Sequence, residues 1–244
     1  MDFAALLTQL SHRPASAYRY PDAAAAIEAK LPPTKREAEH RLWAEGLDRA
    51  FGPTRPIGGV ALDAGCGDGY YLADLARRFE HPFGLDADAR RIEDARRRCP
   101  SVPTFPLEIS GDQDLPELAG QLAFIQCLQV LGHLSCPAAE KVLSRLTGWL
   151  APGAYLLFAV PYTNEPYDDF RISELGVAES HPVEREEYDT AAEAPRAGTL
   201  PVRHFAMPSV QALLGTARLS QVWTSPYGWL SYQHADLMVL ARKP

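Results

Sequence analysis

The sequence predicts an α/β fold: a doubly wound, mostly parallel sheet of seven strands that ends in an antiparallel C-terminal hairpin. Three observations predict it. Short apolar segments alternate with helical patterns from residue 59 to residue 160, which is typical of right-handed crossovers in a parallel sheet. A glycine-rich turn follows the first of these segments and opens a helix. The last two apolar segments are separated only by residues 226–235, too few for a helical crossover, so they should pair antiparallel.

The region before the first strand is predicted to be helical. Residues 2–10 have the spacing of a short amphipathic helix, residues 22–31 form an alanine-rich helix, and a longer helix spans residues 34–51 after two prolines. We expect residues 57–244 to form one domain. Residues 1–56 should form a helical cap on the substrate-binding side of that domain.

The next elements alternate. The predicted parallel strands are residues 59–63, 82–86, 102–107, 122–127 and 155–160, and the helices between them are residues 69–79, 89–99, 114–120 and 137–150. A helix at residues 207–218 and hairpin strands at residues 221–225 and 236–241 end the chain.

Residues 162–204 form a long connection in which no helical or strand period is strong. Connections of this length are uncommon unless they serve a function. We expect a lid-like insertion that closes over a substrate, together with the region around Tyr18 and Tyr20.

The turn after the first strand indicates the ligand class. Asp63 ends the strand, and Gly65, Gly67 and Gly69 follow at every second position. Glycine allows the backbone to approach a ligand closely, since no Cβ intervenes. Dinucleotide sites use Gly-x-Gly-x-x-Gly facing a pyrophosphate. Here the carboxylates of Asp63 and Asp68 would repel a diphosphate and suit a ligand with a positive end.

The second strand ends in another carboxylate, Asp86. Because adjacent parallel strands end at the same edge of a sheet, Asp86 should lie beside the glycine turn. A carboxylate there can accept both hydroxyls of a ribose.

With these features the chain resembles the class I S-adenosylmethionine (SAM)-dependent methyltransferases, in particular small-molecule enzymes of the type 11/12 kind. The resemblance runs from about Gly59 to Lys243. It implies a Rossmann-like methyltransferase fold, SAM as the cofactor and S-adenosylhomocysteine as its product. The SAM-binding positions it implies are Asp63, Gly65, Cys66, Gly67, Gly69, Asp86, Ala87, Glu108, Ile109, Cys127 and Leu128.

Two of these assignments rest on family position. The family places an acidic residue after the third strand to accept from the adenine amino group, and the next backbone N–H donates to the ring. Glu108 and Ile109 match, with Asp112 as the competitor for the acidic role. Cys127 and Leu128, at the end of the fourth strand, would line the methionine side through their backbone.

Methyl transfer from a sulfonium is an in-line displacement in which the enzyme supplies proximity and alignment. An acceptor with an acidic proton also needs a base. His133 and Tyr162 are the candidates, and His204 and His181 are weaker ones. A structural histidine and a packing tyrosine are the competing interpretations of the first two.

Composition restricts the partners. A net charge of −7 argues against a nucleic-acid partner. No apolar run has the roughly 18 residues of a membrane span, and no secretory signal is visible. The four cysteines form no Cys-x-x-Cys pair, so neither a metal site nor a disulfide is predicted. A reducing cytoplasmic location fits these cysteines.

The sequence therefore favours a SAM-dependent methyltransferase acting on a small molecule, with a peptide acceptor still open. Two other functions are considered: a methyltransferase-like binding protein without catalysis, and an NAD(P)-dependent oxidoreductase. The intact glycine turn and the two strand-end acids argue against the first of these, and the glycine spacing with its flanking carboxylates argues against the second.

Overall fold

The computed structural model describes residues 2–21, 33–53, 56–113, 115–177, 180–229 and 234–244. The helix predicted at residues 22–31 lies outside these ranges. Helix α1 (Phe3–Ser11) begins after Asp2, whose carboxylate accepts hydrogen bonds from two N–H groups of the first turn. Helix α2 (Pro33–Phe51) precedes Gly52, which has a φ of +68°.

The remaining helices and strands, in chain order, are β1 (Ile57–Ala64), α3 (Leu72–Arg78), β2 (Phe79–Leu85), α4 (Ala89–Arg98), β3 (Thr104–Phe105), β4 (Leu122–Leu128), α5 (Cys136–Trp149), β5 (Leu150–Thr163), β6 (Asp169–Glu174), β7 (His181–Pro182), α6 (Arg185–Glu193), β8 (Thr199–His204), α7 (Met207–Thr216), β9 (Ser220–Tyr227) and β10 (His234–Arg242). Two 3₁₀ turns, Pro116–Leu118 and Leu131–His133, flank β4.

The main sheet of the described residues has seven strands in the order β3-β2-β1-β4-β5-β10-β9. Strands β1 to β5 pair in parallel, and β10 pairs antiparallel with both β5 and β9. The parallel strands therefore end at one common edge. This topology confirms the predicted fold class, including the antiparallel hairpin.

Helices pack on both faces of the sheet, as a doubly wound fold requires. Along β1, the side chains of Val60, Leu62 and Ala64 pack in the core with α1, α5 and α7, whereas Ala61 packs with α2 and α3. Because successive side chains of a strand point to opposite faces, an almost continuous apolar run is what a strand buried on both sides needs.

Strand β3 is shorter than predicted. Only Thr104 and Phe105 pair with β2, although the sequence predicts a strand over residues 102–107. Pro103 and Pro106 flank the pair, and proline has no N–H to donate to a strand ladder. The prolines therefore limit the strand to two residues.

Residues 162–204 contain regular structure, although their sequence shows no strong helical or strand period. Strands β7, β6 and β8 form a small antiparallel sheet in that order, and α6 lies between β7 and β8. The small sheet contacts the main sheet through a bridge between Tyr162 and Phe205. It lies beside the carboxyl edge of the main sheet.

Candidate functional site

A cavity of about 430 Å³ lies along the carboxyl edge of β1, β2 and β4. Its walls come from the glycine turn, the ends of β2 and β3, the loop after β4 and the small sheet. The strand order reverses between β1 and β4, and ligands of open α/β sheets bind at such a switch point. This cavity is therefore the candidate functional site.

The glycine turn brings bare backbone to the cavity. Gly65, Gly67 and Gly69 have φ values of +83°, +55° and +83°, which other residues rarely adopt. A Cβ on Gly65 would overlap the side chain of Val130, and one on Gly67 would overlap the guanidinium of Arg91. The Cβ position of Gly69 faces α4 instead, at 3.0 Å, so this glycine permits helix packing.

Asp86 is held at the cavity wall by backbone hydrogen bonds. Its Oδ2 accepts from the N–H of Gly67 at 2.8 Å, and its Oδ1 accepts from the N–H of Asp88 at 2.9 Å. Burial raises the pKa of the Asp86 carboxyl, while the Asp88 N–H and the nearby guanidinium of Arg91 lower it. Each oxygen keeps a lone pair for a ligand hydroxyl. The next residue, Ala87, also lines the cavity.

Asp63 lines the same wall but is only 4% exposed. Burial raises the pKa of its carboxyl to about 7, the side chain of Gln126 opposes that rise, and the charge of Asp86 adds to it. A cationic ligand group near Asp63 would favour its ionised form. Cys66 lines the cavity beside it, and burial raises the pKa of that thiol.

The two candidate adenine acids occupy different environments. Glu108 lines the cavity, where its carboxylate accepts hydrogen bonds from the hydroxyls of Ser16 at 3.1 Å and Ser110 at 2.9 Å. The side chain of Asp112 is fully exposed and pairs with Lys141 at 2.7 Å. The geometry therefore favours Glu108.

The candidate residues for the methionine side separate in the same way. Leu128 lines the cavity. Ile109, the candidate for the adenine side, lines it as well. The side chain of Cys127 is fully buried in the core, and burial raises the pKa of its thiol. Of the predicted SAM-binding positions, all of which the structure describes, Gly69 and Cys127 are the two that do not line the cavity.

The two candidate catalytic residues are not equivalent. His133 lines the cavity, and its Nδ1 lies 2.9 Å from the carbonyl oxygen of Pro201, which assigns the proton of a neutral ring to Nδ1. Tyr162 is half-buried and packs edge-on against Trp229, with ring centroids 6.4 Å apart. Tyr162 does not belong to the described residues that line the cavity.

The weaker candidates also differ. His204 lines the cavity and is 8% exposed, whereas His181 is exposed on β7. Burial and the adjacent ring of His234 lower the pKa of His204 to about 4, so its ring is neutral at neutral pH.

The segment of residues 13–21, here called the strap, contains Tyr18 and Tyr20, which are predicted to close over a substrate. It runs across the ends of β2 and β3, and the N–H of Tyr20 donates to Asp88 at 2.8 Å. Tyr18 lines the cavity, and burial with the charge of Asp86 raises the pKa of its hydroxyl to about 12. The strap therefore covers the end of the cavity that holds the strand-end carboxylates.

A polar network on α2 was not predicted. Glu39 accepts hydrogen bonds from the hydroxyl of Tyr71 at 2.9 Å and the side-chain amide of Gln129 at 3.1 Å, and Lys35 pairs with Asp236 at 2.7 Å. These residues line the cavity. Their partners come from distant parts of the chain, so no local motif signals the network.

The geometry of this cavity agrees with the comparisons. The family model for a methyltransferase domain matches residues 35–213, which is well over half of the chain. This chain belongs to the class I SAM-dependent methyltransferase family. The predicted family assignment is thereby confirmed.

The curated relatives match this chain over part of their length. Trans-aconitate 2-methyltransferase of Deinococcus radiodurans is 32% identical over 119 residues, covering 48% of this chain and 43% of that protein. Ubiquinone biosynthesis O-methyltransferase of Acinetobacter baylyi is 27% identical over 109 residues, covering 42% and 45%. The chain thus spans less than half of the length of these two relatives.

Solved structures share the fold along most of the chain. N-methyltransferase NodS of Bradyrhizobium japonicum, in complex with S-adenosylhomocysteine, has a TM-score of 0.57 and 16% identity, covering 99% of this chain and 98% of that one. The 1,6-didemethyltoxoflavin-N1-methyltransferase of Burkholderia thailandensis has a TM-score of 0.54 and 18% identity, covering 93% and 92%.

Proposed function

We propose that this methyltransferase transfers the methyl group of SAM to a small-molecule acceptor bound in the cavity. The observation that carries the proposal is the pair of strand-end carboxylates, Asp63 and Asp86, beside the glycine-rich turn. These groups suit a donor with hydroxyls and positive charge. A dinucleotide would instead place its pyrophosphate beside them.

The residues of the cavity fit SAM along its length. The oxygens of Asp86 would accept from the ribose hydroxyls, and Glu108 with the N–H of Ile109 would bind adenine. Burial raises the pKa of Asp63 to about 7, and the positive methionine end would favour its ionised form as a partner. When bound, SAM supplies a methyl group that its sulfonium has already activated.

The remaining task of the chain is to align the acceptor and remove its proton. His133 faces the cavity next to Leu128, so we propose it as the base for acceptors that carry an acidic proton. Tyr162 lies outside the wall and would touch only an acceptor that extends beyond it. Neutral amines need alignment alone.

We propose that the parts of the chain divide these tasks. Within residues 57–244, the strand ends and the glycine turn would bind the donor together with the strap of residues 13–21. Helix α2 of the N-terminal region 1–56 and the insertion at residues 162–204 would shape the acceptor side. In support, Lys35 and Glu39 line the cavity from α2, and Ser173, Leu200 and His204 line it from the insertion.

The partner class follows from the relatives and from charge. The name of one curated relative specifies trans-aconitate, and that of another specifies ubiquinone biosynthesis, and both concern small molecules. The net charge of −7 disfavours a nucleic-acid acceptor, and the described helices include no membrane-spanning one. Four free buried cysteines support a cytoplasmic location.

Calorimetry with S-adenosylhomocysteine and with NAD tests the donor. We expect S-adenosylhomocysteine to bind and NAD not to bind. Asp86→Asn should weaken binding by about 1–3 kcal/mol, since partners of the carboxylate are left unpaired. Asp94→Asn, on the exposed face of α4, is the matched control. Binding of NAD alone would overturn the proposal.

A second measurement addresses the acceptor. Purified enzyme with labelled SAM is incubated with fractionated small-molecule and peptide extracts. We expect label in the small-molecule fraction. Incorporation confined to peptides would contradict the proposed acceptor class while leaving the donor assignment intact.

A further inference from the structure

Three potential metal ligands from three strands meet at the junction of the two sheets. Asp169 is the first residue of β6 and His204 the last residue of β8, and the two are Cα partners in the antiparallel pair. His234 is the first residue of β10 and pairs with Thr163. Their backbone is fixed by two sheets, so the cluster rests on rigid elements.

The distances suit one ion after small side-chain rotations. One ligand atom from each of the three residues lies within 4.8 Å of the other two, the single such group found among the described residues. His234 Nε2 lies 2.7 Å from Asp169 Oδ2, and the rings of His204 and His234 are stacked with centroids 4.3 Å apart. Ligand atoms around a tetrahedral zinc lie roughly 3.3 Å apart, which is between the 2.7 Å of the His234–Asp169 pair and the 4.8 Å limit of the group.

His204 supplies an independent observation. Its side chain is buried, and its Nδ1 has no hydrogen-bond partner among the described residues. A buried polar atom without a partner is rare and unfavourable. A metal ion bonded to this nitrogen would satisfy it.

One cation already approaches the cluster. Arg171 Nη1 lies 3.3 Å from Asp169 Oδ2, which is a long contact. The other nitrogens of this guanidinium donate to the hydroxyl and carbonyl oxygens of Ser180. Arg171 is therefore held mainly by Ser180, and Asp169 retains capacity for a second positive partner.

We propose that Asp169, His204 and His234 bind a divalent first-row transition-metal ion of the zinc class at the wall of the acceptor cavity. Two imidazoles and one carboxylate favour such an ion over magnesium or calcium, and three protein ligands leave coordination positions open. Of the three ligands, His204 lines the cavity, so an ion held there would be reachable by an acceptor. Binding of an acceptor oxygen or nitrogen there rests on the proposed function, whereas the metal site itself does not.

The test uses zinc alone, without donor or acceptor. The full chain is stripped with a chelator and titrated with ZnCl₂ by calorimetry, and bound zinc is counted by elemental analysis. We expect one ion per chain. His234→Ala and Asp169→Asn should each weaken zinc binding at least about tenfold, because each removes a ligand. His181→Ala, at an exposed histidine of β7, should change nothing.

Thermal unfolding of each variant shows whether it is folded. If a variant does not fold, cobalt titration of the unmodified chain still decides the question, because a nitrogen and oxygen site with low coordination number gives intense visible bands. Absence of zinc and cobalt binding, or equal zinc affinity in unmodified chain and ligand variants, overturns the site. Neither result depends on SAM, so failure of the metal site and failure of the proposed methyl transfer are distinguishable.

Discussion

At the residue scale, the assignment of the adenine-binding acid rests on Glu108 against Asp112. Glu108→Gln keeps the size of the side chain and an acceptor for Ser16, but it removes the charge facing the cavity. We expect it to weaken binding of S-adenosylhomocysteine about tenfold, the effect of one charge-assisted hydrogen bond. Asp112→Asn should leave affinity unchanged, since that side chain is fully exposed. A larger loss for Asp112→Asn, measured by calorimetry, would reverse the assignment.

Asp63 gives a prediction about pH. Burial raises its pKa from 3.8 to about 7 in the folded ligand-free protein. Between these values the folded state binds more protons than the unfolded state, so stability falls as pH rises through this window. Each pKa unit corresponds to roughly 1.4 kcal/mol. Ionised Asp63 therefore destabilises the ligand-free protein above about pH 7.

Asp63→Asn removes this titration. The free energy of unfolding of the variant minus that of the unmodified protein should rise between pH 5 and pH 8, as measured by urea unfolding. Asp68→Asn is the control, because Asp68 is partly exposed and pairs with Arg98 on the surface. A difference that stays constant with pH would show that Asp63 is ionised throughout the window.

At the scale of elements, a buried tyrosine of α6 is hydrogen-bonded to the loop that carries His133. The hydroxyl of Tyr188 lies 2.7 Å from the carbonyl oxygen of Leu134 and 2.9 Å from that of Gly132, on either side of His133. Tyr188→Phe should cost about 1–3 kcal/mol of stability, because the buried carbonyls lose their donor.

The same variant should reduce acceptor turnover more than donor affinity, since the loop carrying His133 loses its support. Urea unfolding and calorimetry with S-adenosylhomocysteine separate the two effects. Tyr167→Phe, at a tyrosine that is 68% exposed, is the control. Equal stability of Tyr188→Phe and Tyr167→Phe would mean that α6 does not support the loop.

The elements differ in how well their sequence predicts them. Strand β1 is predicted from local sequence, because a short apolar run between glycines is typical of a buried strand. The small sheet is not predicted, because β6 carries Asp169, Arg171 and Glu174 among its six residues and its partner β8 begins 25 residues after β6 ends. Its pairing is a long-range property that local pattern does not contain. The short length of β3 could have been predicted, because Pro103 and Pro106 are visible in the sequence and cannot donate to a strand ladder.

At the scale of the whole molecule, the proposed donor end of the cavity was predictable and the proposed acceptor end was not. The donor residues follow directly after strands, where parallel topology fixes their meeting point. The acceptor wall combines α2, the small sheet and the start of β10, including the contact of Lys35 with Asp236 across most of the chain. No spacing rule connects such residues, so they are known only from the folded structure.

The position of the strap gives a prediction for the whole molecule. Residues 13–21 are attached to the edge of the sheet by several bonds, among them the N–H of Ser16 to the carbonyl oxygen of Pro106 at 2.8 Å and the N–H of Tyr20 to Asp88 at 2.8 Å. Tyr18 of this segment faces the cavity beside Asp86. A donor bound between the strap and the sheet would touch both, and opening of the strap would then require loss of those contacts.

Hydrogen–deuterium exchange measures this coupling. We expect S-adenosylhomocysteine to slow exchange in residues 13–21 and in the glycine turn, with a much smaller effect in the small sheet of residues 169–204. The reason is that a ligand bound only to the closed form lowers the population of open states by mass action. Asp86→Asn, measured at the same ligand concentration, should show less protection in both segments. Protection of the small sheet instead of the strap would place the donor at the other end of the cavity and reverse the orientation on which the acceptor assignment depends.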